Sequence, residues 1–432
     1  MKLLKFILPL VAIMNFAQPV VHADDVRCDA SDISQYDQDL NERDWDALYD
    51  YINTKRTINV NEKSCNLTLS GDVRVDWRHR CEKDNGRRLR GGNAVNAAGK
   101  AVGRNDFDAE FNLRFDYVCD RAWSVAHLAF DNGAGVANDH SCKNDPEGLH
   151  GSGSGCDVDL KKAYLGYNLL CDGCTRFDLE VGRRRLYQVF YSEVQFLSRF
   201  DGALLKYDSC FDCVGDYYVR LGGFIVDYTC NHYAWVIEGG LNDVMDTSID
   251  VKYSFIDWRK NGTNRCGVKN PVGADFMNSQ VSLVYNFEPD YLCVPANVFG
   301  AFLINHDASK ETVSSEGNID SKANCAWFAG FTVGEVVRRG DYAFKAQYQW
   351  VEAKSIPDDD VSGIGNGNVQ HNSFTNGGKG NTNFKGFRLE ALYAFTDNIT
   401  MDVKAAWSRQ IDKDFGGKHS FSQVKCEVIY AF

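Results

Sequence analysis

After residue 23 the chain contains no run of 18 consecutive apolar residues, which excludes membrane-spanning helices from the rest of the sequence. Proline is scarce, and none of the seven (Pro9, Pro19, Pro146, Pro271, Pro289, Pro295 and Pro357) interrupts a stretch that alternates like a β-strand. Also absent are G-x-S-x-G, H-E-x-x-H and a phosphate-binding loop, and the nine histidines are scattered. No catalytic residue, metal centre or cofactor is therefore expected, and the chain does not read as an enzyme. A net charge of −12 argues against nucleic acid as a partner.

What is present falls into three parts. Lys2 and Lys5 precede an apolar run from Phe6 to Phe16, and Val21-His22-Ala23 supplies small residues ahead of Asp24, so residues 1–23 read as a cleaved export signal. Within residues 24–66, Leu40, Trp45, Leu48, Tyr49 and Ile52 recur at helical spacing, which predicts a short amphipathic helix in a periplasmic segment. From Leu67 to Phe432 the period changes to two. Phe107, Ala109, Phe111, Leu113, Phe115 and Tyr117 alternate with Asp108, Glu110, Asn112, Arg114 and Asp116. The final stretch HSFSQVKCEVIYAF alternates in the same way and ends on an aromatic residue.

This pattern yields sixteen candidate strands near 67–80, 106–118, 122–131, 158–170, 175–184, 202–208, 216–227, 231–241, 246–258, 274–287, 296–306, 323–336, 341–353, 383–396, 400–411 and 419–432. Their connections alternate between long hydrophilic stretches, such as 81–105, 132–157 and 354–382, and tight turns such as Cys119-Asp120-Arg121 and Asp397-Asn398-Ile399. An even strand count with long loops at one end and short turns at the other predicts an all-β fold, a transmembrane antiparallel β-barrel closed by pairing of the last strand with the first. The medium for the apolar face would be a lipid bilayer. Aromatic residues near strand ends, among them Trp77, Trp350, Trp407 and Tyr430, fit girdles at the two membrane surfaces.

The third long connection and its flanks stand out: GRRRLYQVFYSEVQFLSRFDG, from Gly182 to Gly202. Its three consecutive arginines, Arg183, Arg184 and Arg185, together with Arg199 and the acids Glu193 and Asp201, have two readings. They form a field across a water-filled lumen, or they belong to an external loop with arginines paired to neighbouring acids or lipid phosphates. This block, the segment LYDYINTKRTINVNEKSCNLTLSGDVRVDW and the terminal EVIYAF resemble the porin family of chlamydia-related bacteria, a likeness running from about Leu40 to the terminus. The resemblance implies a barrel in the bacterial outer membrane that passes small hydrophilic solutes. It also implies a terminal aromatic strand of the kind read by the barrel-assembly machinery. By analogy with better-studied porins, the third loop would fold inward. The lumen would then be lined by Arg183, Arg184, Arg185, Glu193, Arg199 and Asp201, together with strand residues Arg74, Asp76, Asp108, Glu110, Arg114, Lys345, Arg388, Glu390, Lys404 and Glu427.

All 15 cysteines lie beyond residue 23. Cys171 with Cys174 and Cys210 with Cys213 form two C-x2-C pairs, whose spacing fits either disulfides or a zinc ribbon. An exported, oxidising setting favours disulfides, within the chain or to other envelope proteins. A second function therefore stands beside the diffusion channel: a disulfide-cross-linked structural outer-membrane protein or adhesin. The Gly-rich stretch 363–380 and the acids from Asp358 to Asp360 read as a flexible outer loop with a solvated acidic tip, the alternative for the acids being a calcium site.

Overall fold

The computed structural model describes residues 58–62, 65–91, 104–133, 158–211, 214–227, 232–258, 276–289, 294–308, 311–314, 317–320, 322–357, 360–365, 382–413 and 418–432. The expected export signal and N-terminal helix lie outside these residues. Sixteen long strands form one closed antiparallel barrel. They are β1 Cys65–Asp84, β2 Asn105–Cys119, β3 Ala122–Gly133, β4 Val158–Asp172, β5 Thr175–Arg185, β6 Arg199–Phe211, β7 Gly215–Asp227 and β8 His232–Asn242. The other half comprises β9 Ile249–Asp257, β10 Met277–Phe287, β11 Ala296–Asn305, β12 Cys325–Gly334, β13 Tyr342–Val351, β14 Phe384–Ala394, β15 Ile399–Gln410 and β16 His419–Ala431.

Every neighbour in sequence pairs with the next, and β16 returns to β1 in the register Asp72↔Ala431 through Asp84↔His419. Closure leaves no free edge, the condition a sheet must meet in a medium that cannot satisfy backbone groups. β1 is 20 residues long and outruns β16 at the short-turn end. There the segment Ile58–Glu62 takes over the pairing, with Ile58 opposite Leu69 and Glu62 opposite Cys65. The strand signal thus begins at Ile58, beyond the expected helix but within residues 24–66, where Ile58 and Val60 alternate with Asn59 and Asn61. A small hairpin, Glu311–Ser314 with Gly317–Asp320, decorates one long connection.

Alternation sorts the side chains. Val181, Leu165, Ile225, Phe331, Phe387 and Tyr430 are exposed on the outside, and Leu165 at 67% and Phe387 at 58% show how little protein covers this face. Inside, Asp72, Asp116, Asp178, Glu180, Glu390 and Asp402 are buried. Apolar outside and charged inside inverts the arrangement of a water-soluble protein.

Candidate functional site: the third loop and the charged wall

The segment joining β5 to β6 does not project from the barrel. Leu186 N–H donates to the Ser198 carbonyl at 2.9 Å and closes the base of the loop. A single helical turn, Leu186–Gln188, follows. Leu186, Phe190 and Phe196 are fully buried and pack on Leu204, Val236 and Ile256, interior residues of β6, β8 and β9. Burying such residues is the main force that folds the loop inward.

Polar contacts carry the loop farther round the inner wall. Tyr191 N–H donates to Glu238 of β8 at 2.9 Å, and the Ser192 hydroxyl donates to Gln280 of β10 at 2.7 Å. The Gln280 amide donates in return to the Tyr191 carbonyl at 2.5 Å. At the far end Lys345 Nζ of β13 meets Glu193 Oε1 at 2.7 Å, and Gln349 donates to the Glu193 carbonyl at 3.0 Å. Lys345 and Glu193 are both buried, so the ion pair is little screened.

A second loop holds the first in place. Between β13 and β14, residues 360–365 turn inward, where Val361 and Ile364 pack with Val194, Phe299 and Phe328. The Asp360 carboxylate accepts from Phe196 N–H at 2.9 Å and Ser198 N–H at 3.0 Å. Ser362 N–H donates to the Val194 carbonyl at 2.9 Å. Gly363, at φ +64, lies where an added side-chain atom would meet the Glu193 carbonyl at 2.6 Å, so the approach of the two loops needs glycine there. The expected solvated acidic tip is corrected at Asp360, which is wholly buried because two backbone donors satisfy its carboxylate inside; Asp358 and Asp359 lie outside the described residues.

The remaining interior, on β14–β16 and β1–β6, is a wall of paired charges. Arg74 grips Asp72 at 2.5 and 3.1 Å. Arg78 pairs with Asp76 and also reaches Asp108 at 3.5 Å. Arg114 meets Asp116 at 2.8 Å, Arg176 meets Asp178 at 2.7 Å, and Lys425 meets Glu427 at 2.8 Å. Lys161 pairs with Glu110, and Arg388 with Glu390. Most of these partners are two residues apart on one strand, the spacing that puts both on the same face. Several cations on this wall keep partial exposure, Arg78 at 31% and Arg388 at 21%, whereas Lys345 beneath the loop keeps only 4%.

The residues singled out from the sequence divide accordingly. Arg74, Asp76, Asp108, Glu110, Arg114, Arg388 and Glu390 all stand on the interior face, and Glu193 sits in the inward loop. The three arginines do not act together. Arg184 is buried inside, paired with Glu180 and 4.6 Å from the Tyr164 ring centroid. Arg183 and Arg185 alternate to the other face, as neighbours on a strand must. Arg183 pairs there with its cross-strand partner Asp201 at 2.7 Å, and Arg199 pairs with Asp159 at 2.5 Å, all four well exposed at the long-loop rim. Lys345 was expected on the lumen face and stands there, but its pairing with Glu193 was not foreseen. Gln280 and the inward role of Asp360 escaped sequence reading; their only signals were the interior parity of Gln280 and the apolar Val361 and Ile364 beside Asp360.

Of the C-x2-C pairs, Cys174 is bonded to Cys210, joining the β4–β5 turn to the end of β6. Cys171 is also disulfide-bonded; Cys213 lies outside the described residues. Among the described residues no cluster of potential metal ligands occurs.

No protein-family model and no curated protein matches this chain. Among solved structures, a high-pH structure of Pseudomonas putida OprB is similar at 11% identity, covering 85% of this chain and 94% of that one with a TM-score of 0.49. A variant of the Rhodopseudomonas blastica porin is similar at 9% identity, covering 85% and 100% respectively with a TM-score of 0.42. The architecture itself is read from the strand pairing of this chain.

Proposed function

We propose that this chain is a porin of a bacterial outer membrane, a passive diffusion channel for small hydrophilic solutes. The observation that carries the reading is the third loop lying along the inner wall from β5 to β13, opposite a wall of partly exposed charges. A loop placed there narrows a lumen, and the paired arginines and carboxylates give passing solutes a polar surface whose field depends on position. The exposed apolar exterior supports lipid as the surrounding medium. The lining residues in this reading are Arg74, Asp76, Asp108, Glu110, Arg114, Arg184, Glu193, Arg388 and Glu390. Arg183, Arg185, Arg199 and Asp201 belong instead to the outer rim.

Two finer readings accompany this one. Membership of the porin family of chlamydia-related bacteria rests on the Gly182–Gly202 block and the terminal strand, and recognition by the barrel-assembly machinery rests on Phe432. Insertion of purified protein into a planar bilayer tests the channel: stable conductance steps are expected, and their absence from correctly folded protein contradicts it.

A further inference from the structure

At the long-loop end of β13–β16 and β1, six residues form an unbroken row of direct cross-strand partners: Trp350, Lys385, Arg409, Ser420, Lys83 and Arg88. One step nearer the short-turn end, on the same face, runs a second row, Tyr348, Phe387, Trp407, Ser422 and Cys81. Phe387 is among the most exposed aromatic residues of the outer face, and Trp407 beside it is exposed too. All of these residues except Trp350 line a cleft of about 670 Å³.

The upper row carries an unusual charge pattern. Lys385 stands directly opposite Arg409, and Lys83 directly opposite Arg88. Like charges facing each other across a sheet are destabilising. Among the described residues, none of these four cations forms an ion pair. Glu82, the acid beside the cleft, is already held inside by Arg90 at 2.8 Å and His419 at 2.9 Å. Lys385 Nζ is 4.6 Å from the Trp350 ring centroid, an arrangement that orients an ammonium group without neutralising it.

We propose that this cleft binds the phosphate-bearing headgroup of a membrane lipid. Its cations match a phosphate: guanidinium groups such as Arg409 and Arg88 bind phosphate oxygens through two parallel hydrogen bonds, and the lysines add point charges. The aromatic row lies where the first methylenes of the acyl chains would descend, and it continues into the apolar outer belt. A free phosphate would leave that aromatic floor uncovered. The inference rests on the reading that the outer face meets lipid, but it does not depend on conduction.

Native mass spectrometry of the full chain folded in detergent tests it, with dioleoylphosphatidic acid, dioleoylglycerol and inorganic phosphate as probes. Phosphatidic acid should be retained where dioleoylglycerol is not, and millimolar inorganic phosphate should fail to displace it. The triple variant Lys83→Gln/Lys385→Gln/Arg409→Gln should lower phosphatidic acid occupancy by at least about tenfold. The double variant Arg338→Gln/Arg339→Gln, at the opposite end of the barrel, should leave occupancy unchanged. Equal retention of the two lipids by the unaltered protein overturns the proposal without any variant having to fold. Displacement by inorganic phosphate, or equal losses in both variants, overturns it too. Because binding is read in detergent, lost binding with intact conductance removes the lipid site alone, and lost conductance with intact binding removes the channel alone.

Discussion

The ring of Phe432, the last residue, occupies the space that a side chain at Gly71 would need. A Cβ built at position 71 would fall 2.6 Å from the Phe432 ring and 2.5 Å from the Asn112 carbonyl. The two residues also exchange backbone hydrogen bonds, Phe432 N–H to the Gly71 carbonyl at 3.0 Å and Gly71 N–H to the Phe432 carbonyl at 3.2 Å. Beyond Gly71, the Phe432 ring stacks on Phe111 of β2 at 6.1 Å. The seam that closes the barrel therefore depends on a glycine on one side and a terminal aromatic on the other.

Gly71→Val should impair closure more than Phe432→Ala does. The valine meets a carbonyl that cannot move without disturbing the β1–β2 ladder. The alanine forfeits mainly a ring contact worth about 0.5–1.5 kcal/mol. Yields of folded barrel, read from heat-modifiable electrophoretic mobility, should rank wild type, Phe432→Ala, Gly71→Val in decreasing order; equal yields would contradict the seam geometry.

Asp360→Ala should release the third loop. Two buried backbone N–H groups, of Phe196 and Ser198, would lose their acceptor, at about 1–3 kcal/mol for each group left unsatisfied. Limited proteolysis should then cut between Leu186 and Ser198 faster than in wild type, and conductance should become noisier. Asp360→Asn keeps one acceptor oxygen and should fall between the two.

Neighbouring arginines should behave differently. Arg184→Gln removes an interior charge and should shift the reversal potential under a salt gradient toward cation preference. Arg183→Gln, on the opposite face, should leave it unchanged. Equal shifts would mean that the strand does not hold the alternation described.

Cys174→Ser/Cys210→Ser should lower the thermal midpoint without changing ion selectivity. The bond spans 36 residues of sequence, and cross-links of that length stabilise by roughly 3–4 kcal/mol in the chain-entropy picture. Because the two thiols are already joined to each other, disulfide-linked assemblies on non-reducing gels should be no smaller in this variant. Their collapse would favour the cross-linked coat role.

Much of this architecture was legible in the chain. Period-two alternation located all sixteen strands, because successive side chains of a barrel strand point alternately outward to an apolar face and inward to a charged one. The sixth was read too short, at 202–208 instead of Arg199–Phe211, since Arg199, Asp201 and Cys210 carry no apolar signal although their backbones pair. The interior was less legible. Arg183 to Arg185 read as one basic block, yet alternation sends only Arg184 inside. Pairs such as Asp72–Arg74 and Arg388–Glu390 announce same-face ion pairs two residues apart, but the choice of partner across the lumen, Lys345 for Glu193, comes from 152 residues away. Asp360 was hidden most completely. A carboxylate in a Gly-rich loop looks solvated until the loop is seen to fold onto backbone donors of another loop.

The central claim is that the third loop narrows a water-filled lumen from within. Single-channel conductance in planar bilayers of the wild type, compared with a variant in which Tyr191 to Gln195 are replaced by glycine and serine, tests it most directly. Wild type should give stable steps, and the variant, losing the side-chain contacts to Gln280 and Lys345, should give steps larger by about twofold or more. Steps of identical size in the two proteins, or no steps from folded wild type, would contradict the account.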